Sequence, residues 1–168
     1  VSSFNSGKVT TVSVSPNTNN EVFFGLSNGR IVKVTGANTG TSNAGTNITG
    51  SGMPTTSVSC IAVEKGNDNH LLATYSSFGV NSVWETTNGG TSWTSVEGNL
   101  PDMPVRWVVF NPYTGTSALL ATESGVWSTT LLNGGSTSWG ATSANIANVS
   151  TRMIKIRQSD YMMFACTH

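Results

Sequence analysis

Four apolar anchors, Val12, Ile61, Val108 and Ile154, recur 49, 47 and 46 residues apart. A period in the forties holds one supersecondary unit, and a chain built this way must stack copies of that unit to bury its apolar faces. Helical periodicity is almost absent. Each period instead holds short runs of β-branched and aromatic residues between clusters of Gly, Asn, Ser and Thr, the pattern of strands and turns. The first period gives Val9–Pro16, Glu21–Leu26 and Arg30–Thr35, with a weak strand around Thr46–Thr49. The second gives Val58–Val63, Leu71–Tyr75, Ser82–Thr86 and Ser92–Val96. The third gives Val105–Pro112, Ala118–Thr122, Gly125–Thr129 and Ser138–Thr142, and the fourth only Arg152–Arg157 and Tyr161–Cys166.

Four strands in each period of this length predict the blades of a β-propeller. The first strand of a period, as in VSCIAV or VRWVVF, is nearly continuous in apolar or small residues. A blade packed on both faces requires that, whereas a sandwich strand would alternate. The expected fold is all-β: a propeller segment of about three and a half four-stranded blades, part of a larger propeller of about seven. The expected blades are 9–56, 57–103, 104–149 and a truncated 150–168, with 1–8 as a strand of a preceding blade. An open stack exposes a blade face and a sheet edge, so the chain is expected to be a fragment, with closure by a second chain as the alternative.

The sharpest local motif is Thr86–Trp93, TTNGGTSW; a looser copy, Leu132–Trp139, LNGGSTSW, ends 46 residues further on. Asn88 can bond its side chain to backbone N–H groups of its own turn. Gly89 and Gly90 can take positive φ in a hairpin between the third and fourth strands. Trp93 is expected to pack back over that turn. This motif resembles the Asp-box (BNR) repeat, S-x-D-x-G-x-x-W, with Thr86, Asn88, Gly90 and Trp93 in the patterned positions, Thr standing for Ser and Asn for Asp. In the second copy Leu132 replaces the Ser/Thr and one residue is inserted before Trp139. The run Asn99–Pro112 resembles the linker and next inner strand of sortilin-type and xyloglucanase-type propellers. The resemblance implies a propeller and a structural role for the motif. It leaves activity open, because such propellers serve enzymes, receptors and assembly factors alike.

Composition narrows the function classes. Charged residues make up 10% of the chain, with eight basic, eight acidic and a formal net charge of zero, against about 25% charged in ordinary soluble domains. No basic stripe is present to neutralise phosphates, which argues against nucleic acid as a partner. No apolar run approaches the roughly 20 residues that span a bilayer, so no membrane insertion is expected. Val1 opens directly into polar sequence, without a signal-peptide pattern. The composition resembles that of bacterial secreted multidomain proteins, which implies a secreted or cell-surface location.

Candidate chemistry is sparse. Arg106 and Arg152 stand at nearly matching positions of successive first strands, where they serve either blade packing and channel lining or a glycan ligand. Trp84 with Trp127, and Trp93 with Trp139, repeat in register and are expected to pack blades; Trp107 breaks register, facing Ala62-like small residues in its neighbours, and is the candidate channel aromatic. No two of Glu21, Glu64, Asp68, Glu85, Glu97, Asp102, Glu123 and Asp160 form a convincing glycosidase pair; they are expected on surfaces and turns. His70 and His168 stand without a ligand-spaced partner, so no metal or cofactor is expected. Cys60 and Cys166, both in apolar strands, are expected as buried small side chains, with a disulfide as the minority reading. No catalytic residues are assigned. The favoured expectation is a non-catalytic binding or scaffold segment. Its partners are the remaining blades or a second chain, and a glycan or protein ligand. The alternatives are a xyloglucanase-like glycoside hydrolase fragment and a structural subunit of an extracellular assembly.

Overall fold

The computed structural model describes residues 7–39, 45–142, 148–157 and 159–167. The first sheet runs β1 (Val9–Val14), β2 (Val22–Leu26), β3 (Ile31–Val34) and β4 (Thr46–Asn47). The second runs β5 (Val58–Glu64), β6 (Asn67–Tyr75), β7 (Val83–Thr86) and β8 (Thr94–Ser95). The third runs β9 (Val105–Asn111), β10 (Thr114–Thr122), β11 (Gly125–Thr129) and β12 (Gly140–Ala141), and the fourth pairs β13 (Thr151–Ile156) with β14 (Met163–Thr167). Within each sheet the strands follow in sequence order and every pairing is antiparallel. The first strands β1, β5, β9 and β13 lie against one another in that order, as the inner strands of successive blades. The chain is therefore all-β and forms a β-propeller segment of three four-stranded blades and one strand pair. Residues 1–6, expected as part of a preceding strand, and His168 lie outside the described residues.

The anchors are in register. Val12, Ile61, Val108 and Ile154 pair with Phe24, Ala73, Leu120 and Ala165 of the second strands. The register slips after the first residue of every inner strand, so Thr10, Ser59, Arg106 and Arg152 each occupy one bulge position. A bulge turns a side chain away from its own ladder, and here it reaches a neighbour. Thr10 donates its hydroxyl to the Val58 carbonyl at 2.7 Å, and Ser59 to the Val105 carbonyl at 2.6 Å, each the first residue of the next inner strand. The same register corrects the placement of Trp107. It pairs with Ala121 as Cys60 pairs with Thr74, so its counterpart is Cys60 rather than Ala62.

The core is a series of layers between blades. Phe23, Ile31, Ile48 and Met53 of the first blade meet Ile61, Leu71, Trp84 and Trp93 of the second. Leu72, Val83, Val96 and Met103 of the second meet Val108, Phe110, Leu120 and Trp139 of the third. Burying one such aliphatic or aromatic side chain stabilises by about 1.5–3 kcal/mol. The predicted packing role of the paired tryptophans is thus observed for Trp84, Trp93 and Trp139. Of the cysteines, Cys60 is buried and Cys166 is exposed, both as free thiols. The expectation for Cys166 fails because β14 is exposed along its whole length.

Candidate functional site

The Thr86–Trp93 turn is self-contained. Thr86 Oγ1 donates to Asn88 Oδ1 (2.9 Å) and accepts from the Gly90 amide (3.0 Å). Asn88 Oδ1 also accepts from the Ser92 amide (2.9 Å), and Asn88 Nδ2 donates to Ser92 Oγ (2.8 Å). Gly89 (φ 68°) and Gly90 (φ 88°) lie in the left-handed region, which a Cβ penalises. At Gly90 a Cβ would also sit 2.6 Å from Cβ of Ile48. The side chains of Thr86, Asn88 and Ser92 are thereby used in shaping the turn, and Gly90 lets it seat against Ile48 of the first blade.

Trp93 also ties its blade to the one before it. The indole Nε1 donates to the Ile48 carbonyl of the preceding blade at 2.7 Å. Trp139 does the same to the Val96 carbonyl at 2.8 Å. The second turn is also differently framed. Thr129, which pairs with Ala118 as Thr86 pairs with Leu71, is the counterpart of Thr86, and Leu132 lies inside a longer loop. There Thr137 Oγ1 donates to the Gly134 carbonyl (2.7 Å) and accepts from the Asn133 amide (2.9 Å).

A cleft of about 670 Å³ opens along β5, β9 and β13, with Val63, Glu64, Trp107, Val109, Tyr113 and Lys155 among its walls. Trp107 is half-buried, and the Lys155 ammonium stands 5.0 Å from its ring centroid. Arg106 and Arg152 lie outside these walls, at the bulges. Arg106 is ion-paired to Glu123 in the turn between β10 and β11. That hydrogen bond holds the Glu123 carboxyl below its ordinary pKa. Arg152 is exposed. The structure thus places Trp107 in the cleft, commits Arg106 to an acid of its own blade, and leaves Arg152 at the surface.

His70 is not isolated. Its Nδ1 lies 2.9 Å from Glu64 Oε2, its Nε2 lies 2.8 Å from Glu85 Oε1, and its ring meets Phe110 of the third blade edge-on at 4.7 Å. Burial works against the charged imidazolium, but the hydrogen bonds and charges of Glu85 and Glu64 outweigh it, so the pKa is raised. The register that brings Glu85 diagonally opposite His70 could have been drawn from the strand alignment, since Leu72 pairs with Glu85. Glu97 and Asp102 share a second cleft of about 320 Å³ with Gly79, Val80, Asn81 and Leu100. Burial raises the Glu97 pKa, and the Asp102 charge adds to this, against two backbone hydrogen bonds that lower it.

Each of the eight carboxylates has a partner inside the fold. Glu21 meets Lys33 at 2.9 Å, and Glu64 and Glu85 meet His70. Asp68 accepts from Ser15, Asn17 and Thr18 of the first blade. Glu97 Oε2 accepts from the Ser82 and Val83 amides (2.7 and 3.0 Å), and Asp102 Oδ1 from the Gly79 amide (2.7 Å). Glu123 is held by Arg106 and Asp160 by Arg157. The expectation that the acids lie on surfaces and turns fails most clearly at Glu21, which is buried. Among the described residues no three His, Cys, Asp or Glu side chains are grouped to hold a metal, and no helix is long and apolar enough to cross a membrane.

No protein-family model matches the chain, and no curated protein sequence matches it. Solved structures do. The Swd1 β-propeller domain of Myceliophteria thermophila superposes with a TM-score of 0.66 at 14% identity, covering 96% of this chain and 49% of that one. A GH74 enzyme of Niastella koreensis gives 0.60 at 19% identity, covering 80% and 24%. The GH74 xyloglucanase of Xanthomonas campestris gives 0.60 at 11%, covering 87% and 25%. The chain thus spans a quarter to a half of the structures it resembles, and at these identities the likeness is one of fold: a β-propeller.

Proposed function

We propose that the chain is a non-catalytic binding or scaffold segment of a secreted or cell-surface bacterial propeller protein, with a glycan or protein as its ligand. One observation carries this reading. The large cleft along the inner strands is walled by a single carboxylate, Glu64, which is already bound to His70. A glycosidase needs two carboxyl groups flanking one bond. Apolar walls, an aromatic ring and a cation suit a binding groove instead. On this reading the Thr86–Trp93 turn is an Asp-box with Thr and Asn in place of Ser and Asp. Trp107 and Arg152 contact the ligand, and Arg106 is fixed by Glu123.

A glycoside hydrolase segment is the second reading, favoured by the GH74 likeness and by Glu97 and Asp102 sharing one cleft. Both acids there are tied to backbone amides that shape the turn between β6 and β7, which accounts for them without catalysis.

The test is incubation of the chain with soluble xyloglucan and related β-glucans, following retention in affinity electrophoresis and release of reducing ends. Retention that is lost in Arg152→Ala or Trp107→Ala, without release, supports the binding reading. Release of reducing ends that disappears in Glu97→Gln overturns it in favour of the hydrolase.

A further inference from the structure

The large cleft draws its walls from all four blades. Pro16 comes from just after β1, Glu64 and Lys65 from the end of β5, Trp107 from β9, Tyr113 from the turn that follows it, and Lys155 from β13. Three of the wall residues carry charge: Glu64, Lys65 and Lys155. Glu64 is already committed. Its Oε2 lies 2.9 Å from His70 Nδ1, and its Oε1 fills the space that a side chain at Gly115 would need. The buried His70 ring, whose charged form Glu85 and Glu64 favour, offsets that carboxylate. The two lysines are not balanced in this way. Both are exposed. Among the described residues each of the eight carboxylates meets other groups, and none is ion-paired to Lys65 or Lys155. The Lys155 ammonium instead stands 5.0 Å from the Trp107 ring centroid. Lys65 has the first and third blades on either side of it, and Trp107 and Lys155 sit on adjoining blades, so the excess of positive charge lies within the described walls.

We infer that this cleft takes an anionic saccharide, its acid groups (carboxylate or sulfate ester) met by the ammoniums of Lys65 and Lys155. The inference rests on the binding reading above and narrows its ligand. Two ammoniums beside one compensated carboxylate leave a positive potential, and a concave site with low-dielectric walls focuses it. A neutral sugar would crowd both ammoniums without pairing them, and a charge taken from water without a partner is costly. A lysine is a point charge on a flexible stem, which suits either acid group. Size and shape favour a saccharide over a bare anion. Phosphate or sulfate alone would leave most of the roughly 670 Å³ unfilled. Tyr113 is 74% exposed on the same wall and meets Tyr161 edge-on at 5.0 Å. Such a ring presents an apolar face and a polar tip, the surface on which a sugar ring can lie.

Titration calorimetry on the 168-residue chain tests this. The probes are trigalacturonate, its methyl ester, a sulfated galactose trisaccharide, its desulfated form and a triglutamate peptide. At least one acid saccharide should bind more tightly than its uncharged counterpart, and the stronger of the two identifies the acid group. Added salt should weaken the acid and leave the neutral form unchanged. Lys65→Gln and Lys155→Gln should each weaken the acid by roughly three- to tenfold and leave the neutral form unchanged. Both side chains are exposed, so the thermal midpoint should hold in either variant. Equal binding of acid and neutral forms overturns the inference and leaves the binding reading standing. Binding of the acids that neither substitution weakens overturns it in the same way. Tighter binding of triglutamate than of any saccharide assigns the cleft to an acidic peptide instead. No binding of any probe, with no retention of xyloglucan, overturns the inference together with its choice of a glycan ligand.

Discussion

Removing the Trp93 indole should loosen the first blade rather than the turn in which Trp93 sits. Trp93 is buried, packs among Ile48, Met53 and Ile61, and donates Nε1 to the Ile48 carbonyl. Truncating a buried Trp to Ala costs about 3–5 kcal/mol. Trp93→Phe keeps most of the ring but leaves the Ile48 carbonyl without that donor, for about 1–3 kcal/mol. The turn itself closes through Thr86, Asn88 and Ser92 without the indole. The loss should therefore appear as opening between blades. Native-state hydrogen exchange measures it directly, because each 1.4 kcal/mol is tenfold in the opening equilibrium. For Trp93→Phe the β2 and β3 amides should exchange roughly 5- to 100-fold faster, while the β10 and β11 amides keep their rates. Acceleration confined to residues 86–93, with β2 and β3 unchanged, would refute the account of Trp93 as a tie between blades.

Three further outcomes are expected. Ser59→Ala removes the bond to the Val105 carbonyl and should lower stability by about 1–3 kcal/mol in urea unfolding; a loss below a few tenths would show that water replaces the hydroxyl. His70 has a folded pKa above its unfolded value of about 6.5. Its contribution is therefore full below that value and is lost as pH rises through the higher folded one. His70→Gln should thus cost more in thermal midpoint at pH 6 than at pH 9, and an equal cost at both would mean that the imidazole is bound neutral. Burial pushes the Cys60 thiol up to about 12, whereas Cys166 is exposed. A thiol reagent should titrate one cysteine in the native chain and the second only in denaturant; rapid reaction of both would place Cys60 nearer solvent.

The strands and their period were legible because they depend on local pattern. Val12, Ile61, Val108 and Ile154 could be aligned by counting, and their pairings with the second strands agree with that count. What the pattern could not supply was the neighbour on the next blade. The acceptor of Trp93 lies 45 residues away, in the first blade, and no local rule points there. Trp107 precedes Val108 as Cys60 precedes Ile61, so the anchors alone set it against Cys60; the bulge falls at the same place in both strands and does not move it. Leu132 holds the place of Thr86 when the NGG letters are aligned, but the loop there is longer, and the strand register gives that place to Thr129. His70 looked solitary since its two acids come from other strands, and only their register brings them together. Cys166 lies in a correctly expected strand, yet burial depends on what covers that strand, which the residues of β14 do not specify.

Five of the ties between blades end on main-chain oxygen. Thr10, Ser59, Tyr75, Trp93 and Trp139 donate to the carbonyls of Val58, Val105, Gly29, Ile48 and Val96. Every residue type offers a carbonyl, so an attachment of this kind is indifferent to the neighbour's side chain at that point. A blade copied to a new place in the chain could fasten itself without a matching change next door. The repeats are then free to drift apart in sequence while their spacing and register are kept, which is the state of this chain, with one sharp NGG motif, one loose copy and a first blade that has neither.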